Sequence, residues 1–242
     1  MLNKMEKNIY RLNQYIAKSG ITSRRKADLL IVSGKIKING VVIKELGTKV
    51  SLNDNIEYDG KKIKIEDFKY LVLNKPKDYI TTLKDDKNRR TVMDLVAHSC
   101  DERLFPIGRL DKNTTGVLLF TNDGDLSQKL IHPKNKIQKV YHVFLDKKIK
   151  LSHYKVIQKG FLLEDGEIVA DDIHIVNNSK KKELLITLHS GRNRIVRRIF
   201  EFFGYKVLKL DRISFAGISK KKVSRGRWRF LTKKEIGFLK MK

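Results

Sequence analysis

Apolar positions in this chain fall into short runs separated by charged turns, and their spacing changes near residue 67. Before that point, Leu12, Tyr15 and Ile16 recur at helical spacing and stop at Gly20, which predicts a short helix. Thr22 or Ser23 can cap a second helix, with Ala27, Leu30 and Ile31 on its buried face and Gly34 as its stop. Alternating runs follow at 35–38, 41–44 and 55–65, and the Asn39-Gly40 pair between the first two is a strong signal for a tight hairpin. Beyond residue 67 strands dominate, at 70–76, 116–121, 140–145, 168–176, 183–189 and 205–215. The clearest helix there is 193–203, ended by Gly204, and a last one begins at Thr232 with Glu235 in capping-box position. These strands do not alternate regularly with helices. We therefore expect an α+β protein: a small α-β module over residues 1–67, then a mixed, mainly antiparallel-sheet domain over 68–242.

One stretch, 108–124 (GRLDKNTTGVLLFTNDG), concentrates the signals for a site. A polar turn carrying Arg109, Asp111 and Lys112 leads through Thr114, Thr115 and Gly116 into four successive apolar residues, Val117 to Phe120. Such a run, bounded by turns, suits a strand covered on both faces. It would hold Asp111 rigidly at its entrance, as a catalytic carboxylate or as one member of an ion-paired loop.

Charge supplies the partner. The 242 residues hold 53 Lys plus Arg against 27 Asp plus Glu, a formal net charge of +26. An excess of that size calls for a polyanion, and nucleic acid is the first candidate. It is uneven: residues 180–234 carry 18 Lys or Arg against Glu183, Glu201 and Asp211, with Tyr205, Phe215 and Trp228 interleaved, as in a groove that tracks a backbone and stacks bases. In the first module Arg11, Lys18, Arg24, Arg25 and Lys26 form a group suited to phosphate contact. The single Cys100 excludes an internal disulfide and a Cys-based zinc site, and fits a reducing cytoplasm. No apolar run approaches membrane-spanning length, and the N-terminus lacks the apolar core of a signal peptide. His132, His142, His153, His174 and His189 lack metal-ligand spacing, so neither metal nor cofactor is expected.

Two further pieces could converge on Asp111. Strand alternation puts Tyr141 and Val143 on one face and His142 on the other. In GRNRIVRR (191–198), Arg194, Arg197 and Arg198 share one helix face, opposite Ile195, Ile199 and Phe202, although Arg197 could equally pair with Glu201 one turn on.

Two resemblances sharpen this. The stretch from Arg11 to Val50, with its Arg-Leu-Asn start, Ser-Arg-Arg helix and Asn-Gly turn, resembles the S-four-like RNA-binding module, which implies recognition of structured RNA by shape and backbone. The 108–124 stretch, with LNKPKDYITT (73–82), HPKNKIQKVYHV (132–143) and GRNRIVRRIFEFFG (191–204), resembles the RsuA/RluB-type rRNA pseudouridine synthases in order and spacing. That likeness implies isomerisation of an rRNA uridine, with Asp111 as the catalytic aspartate, Tyr141 stacked on the target uracil and Arg197 as the ion-pair partner of Asp111. It also implies RNA contacts by Arg11, Arg24, Arg25, Lys26, Arg109, Arg192, Asn193, Arg194 and Arg198. GRNR before Arg197-Arg198 leans toward the large-subunit (23S) enzymes, while Ile195 departs from the usual Gln or Glu. The expected partner is an rRNA stem-loop or a ribosomal assembly intermediate, met by a cytoplasmic monomer. Competing readings are a small-subunit (16S) enzyme, a non-catalytic rRNA-binding assembly factor, and an RNA-cleaving enzyme drawing a second acid from Asp85, Asp86, Asp123 or Asp125.

Overall fold

A computed structural model describes residues 9–242; the signal-peptide reading of the extreme N-terminus falls largely outside the described residues. The chain divides into two compact units between Phe68 and Lys69.

In the first unit the helices Leu12–Lys18 and Arg24–Val32 pack with short strands around Leu12, Tyr15, Ile16, Ala27, Ile31, Ile36, Val50 and Ile56. Ser23 is the cap of the second helix, its hydroxyl accepting from the Lys26 backbone N–H. Leu30 is only half-buried and Leu29 faces out, so the apolar stripe of that helix is narrower than its composition suggests. The strands Ile36–Ile38 and Val41–Ile43 form the hairpin expected around Asn39-Gly40. Both turn residues have positive φ, 50° and 85°, the two left-handed positions of a two-residue turn.

The second unit is built on one large mixed sheet. Its spatial order is Asp172–Ile175, Glu183–Leu188, Lys139–Leu145, Val207–Phe215, Thr115–Thr121, Tyr70–Lys75 and Trp228–Phe230. All of these pairings are antiparallel except the short one between Val207–Phe215 and Thr115–Thr121. Strand Thr115–Thr121 is covered on both faces, as its sequence predicts. Leu118 and Phe120 enter one core with Leu71, Leu73, Val143 and Ile199, while Val117 and Leu119 enter a second with Tyr70, Val72 and Phe215. The last helix, Lys233–Met241, has the capping box read from Thr232 and Glu235. Two helices, Gly124–Ile131 and Leu151–Lys159, add to those the pattern made clear; Asp123 caps the first by accepting from the Leu126 N–H.

Where the parallel pair meets, Gly116 lies against Arg212. Its φ is +103°, and a β-carbon there would sit 2.1 Å from the Arg212 carbonyl oxygen. Neither strand can retreat without breaking a core. Gly116→Ala should therefore destabilise the protein by about 3 kcal/mol or more, read from urea unfolding.

Candidate active site

Asp111 stands on a turn ahead of the doubly buried strand, and the turn is held by backbone chemistry. Lys75, the last residue of strand Tyr70–Lys75, is fully buried. Its ammonium donates to four carbonyl oxygens: Pro76 at 3.0 Å, Asp111 at 3.2 Å, Lys112 at 3.2 Å and Thr114 at 3.0 Å. Three of the four belong to the Asp111 turn. The following residues add to the clamp: the Asp78 N–H donates to the Lys112 carbonyl, and the Thr81 hydroxyl both donates to Leu110 C=O and accepts from Leu110 N–H. LNKPKDYITT is thus the cradle of the turn. Burial pulls the Lys75 pKa down to about 8, opposed by the charges of Asp111 and Asp78.

Tyr141 lies in strand Lys139–Leu145, buried on the same side as Val143, with His142 on the other side paired to Glu183. Beside Tyr141 the neighbouring strand Val207–Phe215 bulges: Val140 pairs with Ser214 but Tyr141 with Arg212, leaving Ile213 without a partner in the ladder. A bulge of this kind re-aims the side chains next to it. Asp111 and Tyr141 line one cavity of about 170 Å³, together with Thr114, Lys139, Ile195, Leu210 and Arg212. Arg109, Arg192 and Arg194 also line it.

Arg197 does not take the place expected of it. It is buried rather than sharing a face with the half-buried Arg198, and it lies beside Phe200 at the edge of the arc of helix Ile195–Phe202 that packs into the core. Arg194 precedes the helix in a left-handed conformation and is not part of its face. Arg197 Nη1 donates to the Val207 carbonyl at 2.8 Å, Nε is buried without a partner, and no ion pair joins it to Asp111 within 4.0 Å. The two interact as charges only. Burial lowers the Arg197 pKa and Arg194 adds to that, while Asp111 and Glu201 pull it back. The pairing across one helical turn with Glu201 is not made by Arg197; Glu201 instead meets Arg194 at 3.4 Å. Phe202, placed with the apolar face by its spacing, is exposed.

The other arginines divide. Arg198 forms a two-point contact with Asp165 at 2.8 and 2.7 Å, and Arg192 donates to the Gly166 and Glu167 carbonyls at 3.0 and 2.9 Å. Both therefore brace the hairpin of strands Phe161–Leu163 and Gly166–Ile168 in this structure. Arg109 and Asn193 are exposed. In the first unit Arg11, Arg24, Arg25 and Lys26 are exposed, the last three in the first turn of their helix, where the helix dipole favours anions over cations. Tyr205 and Phe215, read as possible stacking platforms, are core residues; the Tyr205 hydroxyl accepts from the Lys150 N–H. Among the described residues no group of three or more His, Cys, Asp or Glu side chains is placed to hold a metal ion, and no helix is long and apolar enough to cross a membrane.

Comparison with known proteins matches residues 69–202 to the RNA pseudouridylate synthase family model and residues 11–56 to the S4 domain. An uncharacterized RNA pseudouridine synthase of Aquifex aeolicus is 41% identical over 232 residues, covering 95% of this chain and 93% of that protein. The chain belongs to the RNA pseudouridine synthase family. The ribosomal large subunit pseudouridine synthase B of Bacillus subtilis is 40% identical, covering 93% of each chain. A pseudouridylate synthase crystal structure superimposes with a TM-score of 0.68 at 28% identity, over 95% of this chain and 99% of that one.

As a pseudouridine synthase the protein isomerises uridine in RNA, and its cavity and the turn behind it hold groups that no motif singles out. Lys75 is part of LNKPKDYITT, but nothing in a Lys-Pro pair signals burial. Lys139 donates to the Ile137 and His189 carbonyls, and burial, followed by the charge of Arg212, lowers its pKa to about 8. Arg212 and Thr114 are almost fully enclosed.

Replacing Lys75 by Met should leave buried carbonyls unpaired, destabilise the fold by about 2–3 kcal/mol and depress turnover more than RNA affinity, read by calorimetry and single-turnover assays. The pH response should separate stability from activity. Unfolded lysine keeps its proton to about 10.5, so between pH 8 and 10.5 the unfolded chain binds more protons than the folded one, and the contribution of Lys75 and Lys139 to stability rises with pH. Turnover should instead fall above about pH 8, as the neutral amine no longer supplies every carbonyl around Asp111.

Proposed function

We propose that this enzyme converts a particular uridine of large-subunit (23S) rRNA to pseudouridine, with Asp111 acting at ribose C1′ of a flipped-out nucleotide. The observation that carries the reading is the shared cavity of Asp111 and Tyr141, a half-buried carboxylate beside a tyrosine, bordered by arginines. The choice of rRNA rests on the 40% identity to the large-subunit enzyme of Bacillus subtilis.

The target base leaves its stack and lies on Tyr141, whose aromatic face lowers the cost of holding it outside the helix. As the C1′–N1 bond breaks, C1′ becomes oxocarbenium-like, and the Asp111 carboxylate stabilises or captures that charge. The detached uracil turns, C5 attacks C1′, and the proton leaving C5 is balanced by one gained at N1. Arg197 acts as a positioning residue: its buried charge attracts the Asp111 carboxylate without touching it. Arg109, Arg194 and Asn193 meet the RNA backbone at the mouth; Arg192 and Arg198 do so after exchanging their hairpin contacts for phosphate. Arg11, Arg24, Arg25 and Lys26 dock the first unit on a structured stem-loop, in naked rRNA or an assembly intermediate. The enzyme works as a cytoplasmic monomer. A carboxylate and a tyrosine enclosed together favour catalysis over a role as a non-catalytic assembly factor.

Asp111→Ala should abolish pseudouridine formation on protein-free rRNA and leave RNA affinity nearly intact; modification still made by this variant would sink the assignment. Removing the residues before Asp67 should weaken RNA binding and flatten its salt dependence, with some turnover remaining on a short stem-loop. Chemical mapping of pseudouridine in both rRNAs, from cells with and without the gene, identifies the subunit.

A further inference from the structure

Arg212 lines the cavity as a buried cation with an unfilled hydrogen-bond donor. It is 3% exposed, its Nε donates to the Val117 carbonyl at 2.7 Å, and its guanidinium carbon lies 4.8 Å from the centre of the Phe215 ring. Nη2 is closed off from solvent and has no partner. The carboxylate next to it in sequence does not serve it: Asp211 is taken by Thr115, Lys220 and Arg225. Its charged neighbour in the cavity is a second, half-buried cation, Lys139, whose pKa the Arg212 charge helps to lower. The Thr114 hydroxyl, on another wall of the cavity, is also buried and unpartnered. Buried donors without acceptors are destabilising, the more so when charged, so this arrangement fits a site completed by a ligand rich in acceptors.

The position selects the acceptor. Arg212 is the strand neighbour of Tyr141 on one side and of Gly116, five residues after Asp111, on the other. Asp111, Tyr141 and Arg212 line one cavity with the exposed Arg109 and Arg194, so a ring lying on Tyr141 with its sugar toward Asp111 would present an edge to Arg212 and leave its phosphates to the exposed pair. We infer that Arg212 donates to a carbonyl oxygen of the target uracil, selecting the base and stabilising it as it departs. This rests on the reading that Asp111 and Tyr141 serve the target uridine. When the C1′–N1 bond breaks, its electron pair stays with uracil and the negative charge spreads to O2 and O4. A fixed guanidinium aimed at one of those oxygens is worth more in that state than with the neutral base, which is how a preorganised donor lowers a barrier. The charge returns to the ring when C5 rejoins C1′, the C5 proton is released and N1 is protonated, so no co-reactant is required.

The test is a double-mutant cycle between protein donor and substrate acceptor. Conversion is followed under single-turnover conditions on RNA carrying uridine, 2-thiouridine or 4-thiouridine at the target, since sulfur is the poorer acceptor. A methylphosphonate 5′ to the target serves as the backbone control. Arg212→Met should slow uridine conversion by ~10²–10³-fold, the scale for losing one such donor, with RNA affinity unchanged. One of the two thio substitutions should slow the wild-type enzyme and have no further effect on the variant. Equal thio effects in both proteins would overturn the inference, as would a loss confined to affinity and coupled only to the methylphosphonate. Should Arg212→Met not fold, as judged by thermal unfolding, Arg212→Lys is put through the same cycle; it should lose part of the thio effect, and an undiminished effect again overturns the inference. Failure of the underlying reading is distinct: wild-type enzyme would then leave uridine unconverted, or Asp111→Ala would remain active.

Discussion

The structure depends on one ammonium group. Lys75 is carried by strand Tyr70–Lys75 into the interior, where its charge has no carboxylate of the described residues within 4.0 Å and is satisfied by four carbonyl oxygens, three of them from the turn that bears Asp111. A cation bound this way fixes a backbone conformation rather than a side-chain pairing. It therefore positions Asp111 without neutralising it. Thr81, bonded to both backbone groups of Leu110, makes the approach to the turn equally rigid. A carboxylate acting as proposed for Asp111 requires this: preorganisation of the main chain with the side chain left free for the reacting sugar.

The sheet turns that local rigidity into a site. Because Val117 to Phe120 alternate between two separate cores, the strand behind Asp111 cannot slide by one residue without placing each side chain in the wrong core. The parallel contact between Gly116 and Arg212 and the bulge at Ile213 then bring Tyr141 and Arg212 alongside the turn. The cations are graded by depth. Lys75, Arg197 and Arg212 are enclosed and Lys139 is half-buried, all four binding main-chain oxygens, whereas Arg109 and Arg194 are exposed near the mouth. On the proposed reading, the deeper cations act on charge that develops during reaction, and the exposed ones on charge that RNA already carries.

What the sequence by itself determined was local. The Asn39-Gly40 hairpin, a cap at Thr22 or Ser23 and another at Thr232, the doubly buried strand after Asp111 and the shared face of Tyr141 and Val143 follow from turn chemistry and from periods of two and 3.6, which neighbouring residues set among themselves. Motif order also made the family legible. Tertiary structure decided which charged side chains are buried and what they bind. Arg197 and Arg198 are adjacent and chemically identical, yet one enters the core and the other holds Asp165, because helix Ile195–Phe202 packs by shape on the sheet. Lys75, Lys139 and Arg212 look like ordinary members of a very basic chain, since a buried cation is stabilised by carbonyls from turns and strands distant in sequence. Tyr205 and Phe215 were drawn inside by the same packing. Asp111 was visible from its own strand; the cation that orders its turn became visible only when the turn was folded around it.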